Sequence, residues 1–151
     1  LQASAIIFSN PALYTPFAAA VQALHIGKSN VLGTTGLQAA YSHGEPWLEE
    51  LLPYLAANAA LLVKTLAAKA PKIKVHLPEG TYLAWLDCRA LGLTQPELRS
   101  FFAKDARVGL NDGTTFGTQG TGFMRFNFGC PKATLTEGLE RITAAYAQRG
   151  F

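Results

Sequence analysis

Long apolar runs are missing from this sequence of 151 residues. The richest stretch, residues 59–63, is bounded by Asn58 and Lys64, far short of the ~20 residues that span a bilayer, so no membrane segment is expected. Cysteine is scarce. Cys88 and Cys130 lie far apart in apolar contexts and no C-x-x-C pair occurs. They make no disulfide framework and predict a reduced, cytoplasmic protein with two small buried thiols. His25, His43 and His76 stand at no ligand-like spacing from any Cys, Asp or Glu, which argues against a metal site. Charge is sparse too, at 15%, with a net of +3. The densest basic group, Lys69, Lys72 and Lys74, flanks Pro71 and reads as a solvated helix end and loop. A nucleic-acid module clusters its basic residues with exposed aromatics, so no nucleic-acid partner is expected.

The chain opens Leu1-Gln2-Ala3-Ser4-Ala5-Ile6-Ile7-Phe8, with no Met, no charged leader and no cleavage pattern. A strand-like run so early predicts a chain cut from something longer. What is present is apolar: 49% of residues, with 11% aromatic. That composition excludes long disorder. The length is about one domain's worth and suffices for a sizeable core.

Residues 3–8 read as a short buried strand ended by Ser9-Asn10-Pro11. Residues 11–24 read as helical, with Pro16 as a candidate first helical residue. Residues 27–36 read as a polar, Gly-containing loop, and residues 37–41 as a further helical piece. The longest helix signal opens at Glu45-Pro46 and closes at Pro71. Leu48, Leu52, Leu55, Ala59, Leu62 and Leu66 fall on one face. Pro53 lies inside it and predicts a kink or a split. Beyond Pro71, residues 73–77 and 81–87 read as strands joined by Pro78-Glu79-Gly80. Thr94-Gln95-Pro96-Glu97 has capping-box spacing, followed by a short helix burying Leu98, Phe101 and Phe102. Residues 107–110 read as a strand and Asn111-Asp112-Gly113 as a turn. A Gly-rich connection leads to a strand over 123–128. A second capping box, Thr134 to Glu137, opens a helix with Leu135, Leu139, Ile142 and Tyr146 on one face. Residues 71–151 thus read β-β-α-β-β-α, a small α+β domain.

The strand Phe123-Met124-Arg125-Phe126-Asn127-Phe128 carries the most chemistry. Side chains alternate faces, so Met124, Phe126 and Phe128 share the core face and Arg125 and Asn127 share the other. An Arg in mid-strand among apolar neighbours is costly unless paired. Its planar fork matches a carboxylate bidentately. Two readings stand: a receptor for a substrate carboxylate, or a structural pair with an internal acid such as Asp87 or Asp112. The glycines of residues 113–122 are ordered wrongly for a dinucleotide fingerprint and precede a strand instead of a helix, so they predict an antiparallel connection. Ser42 beside His43 makes no triad and there is no nucleophile elbow. Glu49-Glu50 reads as solvated.

Taken as a set, five segments resemble a known family. They are Leu1-Gln2-Ala3-Ser4-Ala5, Ala39-Ala40-Tyr41-Ser42-His43-Gly44-Glu45-Pro46-Trp47-Leu48, Pro78-Glu79-Gly80-Thr81-Tyr82-Leu83-Ala84-Trp85-Leu86-Asp87, Leu110-Asn111-Asp112-Gly113-Thr114-Thr115-Phe116-Gly117 and Gly122-Phe123-Met124-Arg125-Phe126-Asn127-Phe128-Gly129-Cys130-Pro131. Their order and spacing resemble the C-terminal part of the class I/II aminotransferase family of pyridoxal phosphate (PLP) enzymes, in the cystathionine β-lyase type of C–S lyase branch. The resemblance implies a fold type I PLP enzyme. Residues 1–45 would be the tail of its large domain, and 46–151 the linking helix plus the small C-terminal domain. It implies that Arg125 grips the α-carboxylate of an amino-acid substrate, with Asn127 helping to hold it. Gln2 falls where many relatives place an Arg on the cofactor phosphate, and a neutral amide there donates a hydrogen bond but no charge. The loop over 29–36 is similar to a stretch that approaches the neighbouring subunit's cofactor. The Schiff-base lysine is expected just upstream of Leu1, so these residues alone are expected to be inactive. The implied parent is a cytoplasmic homodimer that cleaves an amino-acid thioether to thiol, pyruvate and ammonia. An aminotransferase, or a non-catalytic α+β module binding a carboxylate or a protein, remain the alternatives.

Overall fold

The computed structural model describes residues 3–28 and 30–151. Gln2 and Ser29 lie outside the described residues. The chain divides into two compact units, Leu1–Glu50 and Leu51–Phe151.

The first unit is helical. Helix α1 spans Pro11–Ala23 and α2 spans Val31–His43. Asn10 starts α1 by accepting from the Ala12 N–H at 2.9 Å, and Pro11 opens the helix where its missing N–H costs nothing. The helix therefore begins five residues before Pro16, which sits inside it. Asn30 caps α2 in the same way, accepting from the Gly33 N–H at 2.6 Å. This cap turns most of the segment expected to be a loop into helix. Residues 3–8 form no strand, because a strand needs a hydrogen-bonding neighbour and no described residue pairs with them. Phe8 instead packs on Tyr14 and Phe17, with ring centroids 5.6 and 5.2 Å apart. A groove of about 680 Å³ lined by Tyr14, Phe17, Val21 and His25 belongs wholly to this unit. Ile7, Leu24, Val31 and Tyr41 are exposed there.

Helix α3, Glu45–Lys69, begins in the first unit and runs into the second. It is one element. Pro53 removes the bond to the Glu49 carbonyl but does not divide it. By length and hydropathy α3 is apolar enough to cross a membrane. Counting uninterrupted runs missed this, because Glu49, Asn58 and Lys64 break the run without lowering the average. Within the second unit its apolar face has a different use: Ala59, Leu62 and Leu66 are buried in the core.

That core underlies a four-stranded sheet of order β1-β2-β4-β3, antiparallel throughout. The strands are β1 (Lys74–Val75), β2 (Leu83–Asp87), β3 (Asn111–Asp112) and β4 (Phe123–Asn127). Ala84, Leu86, Met124 and Phe126 point inward, as alternation requires. Helix α4, Gln95–Ser100, opens at Thr94, whose N–H and hydroxyl both donate to Glu97 Oε2. It passes into a π-helical turn that buries Phe101 and Phe102. Helix α5, Lys132–Gln148, closes the core with Leu135, Leu139, Ile142 and Tyr146. It starts after Pro131, so Thr134 lies inside it and the second capping box opens nothing. Glu137 pairs with Arg141 one turn on.

Thr81 precedes β2 with φ of 62°. This left-handed region crowds a β-branched side chain, whereas asparagine tolerates it. Thr81→Asn is expected to stabilise the fold by about 0.5–1 kcal/mol. A denaturation midpoint that fails to rise would show that the threonine holds something the strain argument omits.

Candidate carboxylate-binding face

The outward face of the sheet follows from strand register. Trp85 of β2 and Asn111 of β3 lie opposite Arg125 of β4, one on each side. The sequence predicts a strand over 107–110 and a turn at 111–113. The ladder in fact forms at Asn111–Asp112, since only there does the backbone meet β4. The expected antiparallel connection from residue 113 to 122 is present between β3 and β4. Two tight 3₁₀ turns fold it back on itself. A Cβ on Gly120 would sit 1.9 Å from the Gly113 carbonyl oxygen, so only glycine allows this approach. The fold-back places Phe116 against the sheet face.

There the Phe116 ring lies under the Arg125 guanidinium, 4.5 Å from centroid to carbon. Phe116 meets Trp85 edge-on at 5.7 Å, and Trp85 stacks on Phe123 at 5.6 Å. Arg125 Nη2 donates to Asn111 Oδ1 at 3.1 Å. Its Nε is buried with no hydrogen-bond partner among the described residues.

Neither internal acid pairs with Arg125. Arg89 forks onto Asp87, with Nε to Oδ1 at 2.9 Å and Nη2 to Oδ2 at 2.7 Å. That guanidinium holds the Asp87 carboxyl below the usual carboxylate range. Arg99 reaches Asp112 at 3.4 Å. Asp112 also accepts from Gln95 Nε2 at 2.6 Å and from the Thr114 N–H and hydroxyl at 2.9 and 2.8 Å. Burial pulls the Asp112 carboxyl up, but these bonds and the Arg99 charge outweigh it, and its pKa lies below the ordinary value. Among the described residues the structural reading of Arg125 thus finds no acid to pair with.

These lowered carboxyls give the fold a pH dependence. A depressed folded-state pKa contributes stability that is present above the unfolded value, near 4, and lost as pH falls through the folded one. Acid unfolding is therefore expected to set in below about pH 4. In Asp112→Asn, which keeps the one oxygen that accepts from Gln95 and Thr114 but titrates no longer, the slope of stability against pH should flatten. An unchanged slope in urea titrations would assign the effect elsewhere.

Asn127 Oδ1 accepts from the Gly129 N–H at 2.8 Å, a local turn that leaves its amide N–H₂ toward solvent. It makes no bond to Arg125; Asn111 does. Asn111, Phe116 and Trp85 were not singled out as site residues in the sequence. The Asn-Asp-Gly triplet reads first as a turn, and only the pairing of β3 with β4 reveals its neighbour. Cys88 is buried, its thiol pushed up to about 12 by that burial and by the Asp87 charge, so it is no nucleophile at neutral pH. Among the described residues no three His, Cys, Asp or Glu could hold a metal ion.

All seven lysines are described and all are exposed. The described residues offer an arginine fork of the shape that a carboxylate matches, and no enclosed lysine amine.

No family model matches the chain. Individual proteins do. Cystathionine beta-lyase PatB of Bacillus subtilis is 43% identical over 145 residues, 96% of this chain and 38% of PatB. Protein MalY of Escherichia coli is 36% identical over 80% of this chain and 31% of its own length. Among solved structures, PLP-containing cystalysin from Treponema denticola superposes with a TM-score of 0.85 at 29% identity, covering 95% of this chain and 36% of cystalysin. The PLP-bound C–S lyase from Staphylococcus hominis gives 0.79 at 29% identity, covering 96% and 38%. The chain thus spans about a third of the length of the proteins it matches. The mixture of helices with a small antiparallel sheet is consistent with the C-terminal part of a PLP-transferase fold. The chain is a homologue of cystathionine β-lyases and of PLP-containing C–S lyases, matched over about a third of their length.

Proposed function

We propose that these residues form the C-terminal part of a PLP-dependent C–S β-lyase that cleaves an amino-acid thioether to a thiol, pyruvate and ammonia. The observation that carries the reading is Arg125, a cation on an open sheet face with no carboxylate partner among the described residues. One of its five N–H groups is engaged by Asn111 and the Nε–H is buried, which leaves the other terminal N–H groups for a substrate α-carboxylate. Asn127, two residues along the same face, adds a neutral donor. When bound, PLP supplies an electron sink for the substrate carbanion. This chain's contribution is orientation. A substrate held by its carboxylate presents its reacting bond in one direction, which is catalysis by positioning.

In the same proposal, residues 1–45 are the tail of the large domain, and α3 with the sheet forms the linking helix and small domain. The Schiff-base lysine comes from outside these residues. The enzyme is a cytoplasmic homodimer. The test is pyruvate release from L-cystathionine by the full-length protein with PLP. Release without any 2-oxo acid supports the lyase. Turnover that requires a 2-oxo acid acceptor indicates an aminotransferase, a reading favoured by 30% identity to an aspartate aminotransferase of Pyrococcus horikoshii over 73% of this chain.

A further inference from the structure

We propose that Asn111 is a neutral clamp on Arg125: it fixes the guanidinium without cancelling its charge, and so keeps the carboxylate receptor open. The proposal rests on reading Arg125 as that receptor. Three contacts fix the group. Asn111 Oδ1 accepts a hydrogen bond from Nη2, the Phe116 ring covers one face, and the strand register sets the Asn111 and Arg125 backbones side by side. A long arginine held on two sides loses less side-chain freedom when a ligand arrives.

The chemistry of the clamp is what distinguishes it. The position next to a receptor arginine is where an internal acid would do most harm, because a fixed carboxylate would occupy the fork in place of the substrate's. This face has acids nearby, and each is engaged by another arginine. Asp87 shares the outward face of β2 with Trp85 and is forked by Arg89. Asp112, next to Asn111 in sequence, is turned to the other face and held by Gln95, Thr114 and Arg99. The acceptor that does touch Arg125 is an amide. Geometry is thus supplied by Asn111, and positive charge is left for the ligand.

An isosteric change separates this role from a structural one. Asn111→Asp keeps the shape and strengthens the contact to Arg125, so a merely structural residue would tolerate it better than Asn111→Ala. The clamp predicts the reverse order. The probe is 3-(methylthio)propionate, which carries the carboxylate and thioether but no amine with which to react. Its affinity is measured by calorimetry on the full-length protein, with and without PLP. Kd is expected to rise about tenfold or more in Asn111→Asp, and only a few-fold in Asn111→Ala. In turnover, KM should carry more of the Asp defect than kcat. Asn111 is exposed, so both variants should keep the wild-type unfolding midpoint. Should the Asp variant not fold, Asn111→Glu is expected to show the same ordering against Ala. Asp binding equal to or tighter than Ala overturns the clamp. If Arg125→Gln still abolishes binding in that case, the receptor reading stands by itself. Arg125→Gln that binds like wild type overturns both.

Discussion

Arg125→Ala in the full-length protein loaded with PLP is expected to lower kcat/KM for L-cystathionine by about 10²–10³-fold, because two charge-assisted hydrogen bonds to the carboxylate are worth roughly 3–4 kcal/mol together. The loss should appear in both parameters. KM rises because the carboxylate loses its anchor, and kcat falls because a substrate free to swing samples unproductive orientations. Arg125→Lys should recover part of the affinity, since it keeps the charge but not the planar fork. Pyruvate release over a range of substrate concentrations reads all of this. A change of less than threefold would remove Arg125 from substrate binding.

The fold should hardly notice that substitution, and this makes the test clean. Arg125 supports no internal carboxylate, so its removal strands no buried charge. It gives up one hydrogen bond to an exposed Asn111 and the contact with Phe116, worth about 0.5–1 kcal/mol at an exposed site. Against this it relieves a buried Nε with no partner. A guanidinium with a buried, unpartnered Nε and unused terminal donors is what the proposed carboxylate role would leave in the free fold.

Much of this was legible in the sequence because it depends on local periodicity. Alternation along residues 123–128 is enough to separate Met124, Phe126 and Phe128 from Arg125 and Asn127, and the buried set confirms the division. Spacing in steps of three and four likewise gave the α5 face. What was not legible depends on partners distant in sequence. Whether residues 3–8 form a strand depends on a neighbour that periodicity cannot supply. Asn111 reaches Arg125 only because β3 pairs with β4, and its own triplet says turn. Pro16 and Thr134 misled for another reason. Each is a good helix opener in isolation, but Asn10 and Pro131 act first, and a helix has one start. Whether Asp87 or Asp112 pairs with Arg125 lay beyond any pattern. It turned on which arginines reach Asp87 and Asp112, and both are taken by Arg89 and Arg99.

Asn58→Leu should cost the second unit about 2–4 kcal/mol, the largest stability effect expected of a single polar change here. Asn58 is 1% exposed on α3. Its Nδ2 donates to the Phe128 and Cys130 carbonyls at 3.1 and 2.9 Å. One turn earlier, the Tyr54 hydroxyl accepts from the Lys132 N–H at 2.7 Å. These bonds tie α3 to the backbone that leaves β4 and enters α5. The Phe128 and Cys130 carbonyls lie between two elements, outside the sheet ladder, and Pro131 has no N–H to give. Leucine would match the amide in size but leave the carbonyls without donors, the Phe128 oxygen in a fully buried place. Asn58→Asp should be worse, since it sets a carboxylate against two carbonyl oxygens where water cannot compensate. A lowered denaturation midpoint with an unchanged slope is the expected readout. A loss below 0.5 kcal/mol would mean that water or a backbone shift replaces the amide. The same bonds bear on function, because Asn127 immediately precedes Phe128 and Arg125 lies two residues before that. Tyr54→Phe, which removes a single acceptor, should leave the fold nearly intact. If α3 holds the exit of β4 in register, that milder change should still raise KM more than it lowers kcat.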